Sequence, residues 1–241
     1  AICGICTRDL HRGGNRTTGQ HHGANVVQWS HGRNGTCERS HPPLFSPFLR
    51  YTYYMSLYKA PSASGHQAAW SRWDGSPGSS VELRWENEGW TAEIGLLADR
   101  AVAVVRMSAS WAVQQMLLFR DLPEPDLWLA TDGHGQWGEM NGEHRTELDG
   151  CVDIDFAGTP FTNSIITHRL PLQVGHTADL QVITINVETL GIVKTPQRYT
   201  RHDEHAWEYT SLITGEQHAA TVDEFGLVLD EHNTFRRDRD I

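Results

Sequence analysis

The chain has 241 residues, a net charge of −10 and 39% hydrophobic residues, a balance that suits a folded domain and argues against a nucleic-acid-binding one. No run approaches the ~20 apolar residues a membrane helix needs, so no transmembrane segment is expected. The length allows one large domain, or a domain of about 150–200 residues with an extension.

The first 65 residues differ from the rest. They carry seven Lys and Arg against two Asp and Glu, with three of the four Cys and five of the 14 His. The remaining residues carry 13 basic against 28 acidic side chains. The charge break places a boundary between 1–65, which reads as a disordered or artefactual N-terminal extension, and 66–241, which reads as the folded domain. Cys3-Gly-Ile-Cys6 has the spacing that lets one turn offer two thiolates to zinc, with His11, His21, His22 and Cys37 nearby in sequence. No second closely spaced pair completes it, so neither a metal nor any other cofactor is assigned. The first 30 residues lack the pattern of a secretory signal, and a cytoplasmic location is expected. Arg outnumbers Lys eighteen to two, a bias expected of a GC-rich, bacterial genome.

From Trp70 onward apolar residues alternate with period two. In Val81-Glu-Leu-Arg-Trp-Glu86, Val81, Leu83 and Trp85 predict one core-facing side of an antiparallel strand. Similar strands are expected at WTAEIGLL, AVAVVRMS, AVQQMLLF, DLWLAT, CVDIDF, LQVITINV, ATVDE and GLVLD. Turn signals such as Asn87-Glu88-Gly89, Asp132-Gly133, Asn141-Gly142, Asp149-Gly150 and Asp223-Glu-Phe-Gly226 separate several of them. Many short strands with frequent turns indicate a mainly β fold whose sheet curls or closes. Of the tryptophans in this domain, Trp73, Trp85, Trp90, Trp111, Trp128, Trp137 and Trp207 are expected mostly in the core, although a curled sheet lined with aromatics can also receive a ligand.

One segment breaks the β pattern. In Gly158-Thr-Pro-Phe-Thr-Asn-Ser-Ile-Ile-Thr-His-Arg169, Thr159 and Pro160 form an N-cap and first-turn pair. Phe161, Ile165 and Ile166 follow at helical spacing, and Arg169 sits where a cation suits the helix dipole. A helix is therefore expected from Pro160 to about Arg169, packed into the curl. Just upstream, Asp153 and Asp155 share one strand face about 6.6 Å apart, a spacing that resembles a carboxylate pair for glycoside hydrolysis. The simpler reading has Asp155 accepting the helix N-terminal amides and Asp153 pairing with Arg169. Cys151 with His168 lacks the strained turn of a nucleophile and reads as a small buried hydrophobe. Asn163, inside a short helix, needs a partner: a neighbouring strand or the polar head of a ligand.

The stretches LATDGHGQW, DGCVDIDFAGTPFTNSIITHRLPL, PQRYT and VDEFGLVLDEHNTFRR occur in the order and spacing of a family described as glycolipid-binding, and the resemblance runs from about Trp70 to Arg237. It implies a spiral β-roll, a long curled antiparallel sheet wrapped around one helix, and a tight homodimer related in shape to lipoprotein carriers of lipid. Where members of that family carry Pro-Ile-Arg-Arg, this chain has Ile166-Thr-His-Arg169, so one of two cations becomes a titratable His. Glu231-His-Asn233 stands in place of a Tyr-Pro-Gly-like turn.

The expected function is therefore non-catalytic binding or carriage of an amphipathic small molecule, a glycolipid or other lipid, by a homodimer. Asn163, His168, Arg169, Trp137 and Tyr199 are the expected ligand contacts, while Asp153, Asp155, Thr159 and Pro160 set the helix. Two alternatives stand beside it: a hydrolase of a small lipid or glycoside using Asp153, Asp155 and His168, and a structural homodimer without ligand.

Overall fold

The structure, a computed structural model, describes residues 57–121 and 125–238; the Cys3–Cys6 pair and most of the basic segment lie outside the described residues. The strands in chain order are β1 (His66–Arg72), β2 (Ser79–Glu86), β3 (Gly89–Leu96), β4 (Ala101–Ser108), β5 (Val113–Phe119), β6 (Leu127–Thr131), β7 (Trp137–Glu139), β8 (Asp153–Phe156), β9 (Thr177–Ile185), β10 (Ile192–Arg201), β11 (Ala206–Ser211), β12 (Gln217–Val222), β13 (Val228–Glu231) and β14 (Phe235–Arg237), with one α-helix, α1 (Phe161–Arg169). They form one sheet in the order β7-β6-β5-β4-β3-β2-β1-β14-β13-β12-β11-β10-β9-β8. Two seven-stranded arms thus run outward from the β1–β14 pair. The end strands β7 and β8 do not pair with each other, so the sheet curls without closing into a barrel. Every pairing is antiparallel except β8–β9, which is parallel and is connected through α1, because a parallel step needs a crossover.

Local chemistry accounts for much of this. In β4 buried residues alternate without interruption, with Ala101, Ala103, Val105 and Met107 all inside. Asn87 and Glu88, with φ of 51° and 61°, make the two-residue turn between β2 and β3, the positive-φ geometry that matches strand twist. The expected strands are present, with ends shifted by a few residues, while β1, β10, β11 and the three-residue β7 and β14 escaped the period-two signal. In β10 this is understandable, since Pro196 interrupts a largely polar run. Its carbonyl accepts from Leu212 N at 3.0 Å, just beyond Ser211, where β11 ends. The missing N–H therefore faces the place where the ladder has already stopped.

Two of the tryptophans expected in the core lie at the surface. Trp73 is 50% exposed under the Arg236 guanidinium, and Trp85 is 38% exposed and meets Trp90 edge-on at 5.0 Å beside the β2–β3 turn. The packed structure also reaches upstream of residue 66. Tyr58 is buried and accepts a 2.7 Å hydrogen bond from Trp207 Nε1, while Lys59 N bonds Glu224 O. Tyr58→Phe is expected to cost about 1–3 kcal/mol by orphaning the buried indole N–H; urea unfolding with an unchanged m-value checks it, and no loss of stability would detach Tyr58 from the fold.

The helix fills the curl. Residues 161–167 are all buried although four of them are polar, which is tolerable only because each polar side chain has a partner. Thr162 Oγ1 donates to Asp155, Asn163 meets Tyr199, Ser164 Oγ accepts from Val228 N, and Thr167 Oγ1 donates to Ser164 O. Phe161 and Ile165 belong to one apolar core and Ile166 to a second, smaller one. The helix is thereby bonded to the sheet on several sides.

Candidate functional site

The strand-to-helix junction behaves largely as its residue types dictate. Thr159 Oγ1 accepts from Phe161 N at 3.2 Å, but the helix starts one residue later than expected, at Phe161, with Pro160 and not Thr159 in the N-cap position. Arg169 reaches back to Asp153: Nε lies 2.9 and 3.0 Å from the two carboxylate oxygens and Nη2 bonds one of them. Asp153 is fully buried, whereas the Arg169 side chain keeps 23% exposure. Burial raises the Asp153 carboxyl above its ordinary value, and the guanidinium opposes that rise. The Asp155 expectation is corrected. Its oxygens accept from Thr162 Oγ1 and Gln197 Nε2, both at 3.0 Å, and not from helix amides, because Thr159 already satisfies the first free N–H.

Around Asp155 a cavity of about 300 Å³ opens between the start of α1 and strands β10 to β14. Asp155, Gly158, Thr159 and Asn163 line one side, and Gln197, Tyr209, His218 and Glu231 line the other, with Arg72 and Phe235 at one end. Cross-strand pairing explains the wall: Tyr199 faces Tyr209, and Tyr209 faces His218, on neighbouring strands. Tyr199 lies beneath, fully buried, with its hydroxyl 2.8 Å from Asn163 Oδ1 and 2.9 Å from Gln197 Oε1. A phenol has one proton, so it donates to one of these amides and accepts from the other once that amide is turned about its axis.

Glu231 is the unusual member. It is 4% exposed, and burial pushes its carboxyl up to about 7; the Tyr209 hydroxyl opposes the shift and the Asp155 charge adds to it. Tyr209 Oη and Glu231 Oε2 are both sealed from solvent without a well-formed hydrogen bond. His218 stands between two carboxylates, with Nδ1 3.6 Å from Glu231 and Nε2 3.5 Å from Glu216. Arg72 lays its guanidinium over the Phe235 ring at 4.6 Å. A larger depression of about 430 Å³ over β1 to β4 is lined by Gln67, Ser80, Glu82, Glu93 and Asp99, but it gathers neither an aromatic ring nor a buried polar side chain.

His168 belongs to a different arrangement. Its ring stacks on Trp111 at 3.7 Å and 17°, Tyr58 packs on it at 5.2 Å, and Nδ1 bonds Ser164 O at 2.8 Å. Burial lowers its pKa to about 4, so it is neutral at physiological pH. Trp111 accepts a φ of 64° to make this stack, a backbone state that costs a bulky residue about 1–3 kcal/mol. Gly226 is required beside it: a Cβ there would come within 2.6 Å of both Tyr58 and His168.

Of the five side chains expected to meet a ligand, Asn163 lines the cavity and Tyr199 supports it from below. Trp137 is 1% exposed and spends its indole N–H on Cys151 O at 2.9 Å, while His168 and Arg169 are engaged as above. The hydrolytic trio does not converge: Asp153 is held by Arg169, Asp155 by Thr162 and Gln197, and His168 by Trp111 and Ser164. The cavity residues that sequence reading missed include Arg72, Gln197, Tyr209, Glu216, His218 and Glu231. Gln197 and Glu231 do fall within motifs noted above, but nothing along the chain brings them together. Among the described residues no helix is long and apolar enough to cross a membrane, and no cluster of His, Cys, Asp and Glu is arranged to hold a metal ion.

The chain is similar to a DUF1089 family protein from Pseudomonas aeruginosa of known crystal structure, at 27% identity and a TM-score of 0.55, over 76% of this chain and 96% of that one. No curated protein is significantly similar. Residues 67–237, which span nearly all of the sheet and the helix with it, match the family described as "Putative glycolipid-binding", and the chain belongs to that family.

Proposed function

We propose that this chain is a cytoplasmic carrier or sensor that binds an amphipathic ligand, a glycolipid or related lipid, without converting it. The observation that carries the reading is a polar cavity beside an apolar rim. The cavity offers an amide pair, carboxylates and aromatic rings, the groups that recognise a polyhydroxylated head. Immediately past Ser211, which lines it, Leu212 and Ile213 at the β11–β12 turn are 41% and 65% exposed. The head group would enter the cavity and the hydrocarbon would lie over these two side chains. The family description supports the ligand class, and the separation of Asp153, Asp155 and His168 supports binding over catalysis. Cys151 is a free buried thiol, compatible with a reducing compartment. The working unit we infer is a homodimer, in keeping with the sheet edge at β8, which unlike β7 has no strand or bridge on its outer side among the described residues; light scattering on the purified chain gives the mass, and a monomer at micromolar concentration would remove that part.

Native mass spectrometry of freshly purified protein is expected to retain a lipid. In a screen against glycolipid micelles, Leu212→Ser with Ile213→Ser should weaken binding by at least about tenfold, since each removes up to about 1.5–3 kcal/mol of apolar burial, while thermal stability stays within the small change expected of surface substitutions. No retained lipid and no binding in the screen would leave a structural dimer as the better description.

A further inference from the structure

We propose that the head group selected by this cavity carries a primary ammonium, as in an amino sugar or an ethanolamine lipid, held against Glu231 with Asp155 and Glu216 around it. This rests on reading the cavity as the head-group site. The argument begins with charge. Three carboxylates, Asp155, Glu216 and Glu231, line the cavity against one permanent cation, Arg72, whose guanidinium lies over the Phe235 ring.

The second observation is the state of Glu231. It is more than nine-tenths buried, it faces the cavity, and its Oε2 lacks a well-formed hydrogen bond. The closest nitrogen of His218 stands 3.6 Å from its other oxygen, beyond direct hydrogen-bonding reach. Burial disfavours the ionised form of Glu231; the Tyr209 and Thr234 hydroxyls and the Arg72 charge favour it without cancelling that cost, and a small donor-only cation is a group that relieves the remainder. An ammonium has three donors and no acceptor, which suits a cavity lined by the carboxylates Asp155, Glu216 and Glu231. The Tyr209 and Phe235 rings add faces on which a cation or a sugar ring can rest. A phosphate or sulfate head would face the same carboxylates and be repelled, so one arrangement both selects and excludes.

Titration of the intact chain with soluble probes separates the possibilities. Glucosamine is expected to bind at least about tenfold more tightly than glucose, the preference a charge-assisted hydrogen bond supplies, and glucose 6-phosphate should bind least. Glu231→Gln should erase the preference. Because that residue is buried, Glu216→Gln at the exposed rim provides a second variant whose folding is not at risk, and it should reduce the same ratio. Ethanolamine binding as well as glucosamine would support recognition of the ammonium itself, whereas glucosamine alone would support recognition of ammonium and ring together. Glucose binding as tightly as glucosamine, or the phosphate ester binding best, would overturn the ammonium inference and leave the head-group site standing. If no probe binds at millimolar concentration the inference also fails, and lipid retained in native mass spectrometry decides the carrier reading separately.

Discussion

Replacing Arg169 with Met is expected to destabilise the fold by about 3–5 kcal/mol and to lower Tm by roughly 10 °C for a domain of this size. Asp153 is completely buried, and Arg169 holds both of its oxygens, so the substitution leaves a carboxylate with no counter-charge in the interior. Protonation relieves part of that cost, and the loss should therefore grow as pH rises. The pair also ties the C-terminal turn of α1 to β8, so the helix loses its seat in the curl and ligand binding falls with stability. Adding Asp153→Asn should recover a good part of the loss, because no charge is then left buried. Thermal melts of the single and double variants decide the matter. An Arg169→Met protein with unchanged Tm but no lipid binding would make Arg169 a ligand clamp and overturn its structural assignment.

Glu231→Gln is expected to act in the opposite direction, stabilising the protein by up to about 3 kcal/mol above pH 7, the size that follows from a carboxyl raised to about 7 from an ordinary 4.5. Below 4.5 Glu231 is protonated in both folded and unfolded chains and the variant gains nothing. Between 4.5 and about 7 the unfolded chain ionises while the folded one does not, so wild-type stability declines through this group as pH rises. The difference between variant and wild type should accordingly grow across that window and level off beyond it. His168 works against this slope. Its pKa falls from 6.5 to about 4 on burial, so its contribution is lost as pH drops from 6.5 toward 4. In the wild type the two trends offset each other between about 4.5 and 6.5, and Glu231→Gln exposes the His168 trend. Urea unfolding at half-unit intervals from pH 4 to 8 measures the difference directly; a constant difference over the range would mean that Glu231 is already ionised in the folded protein.

The sequence by itself determined the class of fold and the conformation of its most distinctive segment. Period-two alternation in the segments that became β2 to β5 reports which faces are buried, because side-chain direction in a strand is set locally. Thr159-Pro160 likewise marks the start of the helix to within one residue, because the Thr159 hydroxyl bonds Phe161 N through neighbouring atoms alone. Even the Arg169–Asp153 pair was legible, since a helix returning beside the preceding strand brings a buried carboxylate within reach of a long cationic side chain. What only the tertiary structure decided was the cavity. Its walls come from β1, β8, β10 to β14 and the start of α1, elements spread from Arg72 to Phe235. The β1–β14 pairing that closes this neighbourhood joins the two ends of the domain, a long-range contact with no local signature. His218 resembles any other of the 14 His, and Glu231 any surface carboxylate, until the curl buries one face of β10 to β13. For the same reason His168, which by residue type looked available to a ligand, is held neutral under Trp111. Residue type and spacing carry backbone geometry and hydrophobic period, whereas burial, which sets the charge state of Glu231 and His168, depends on how far the whole sheet curls.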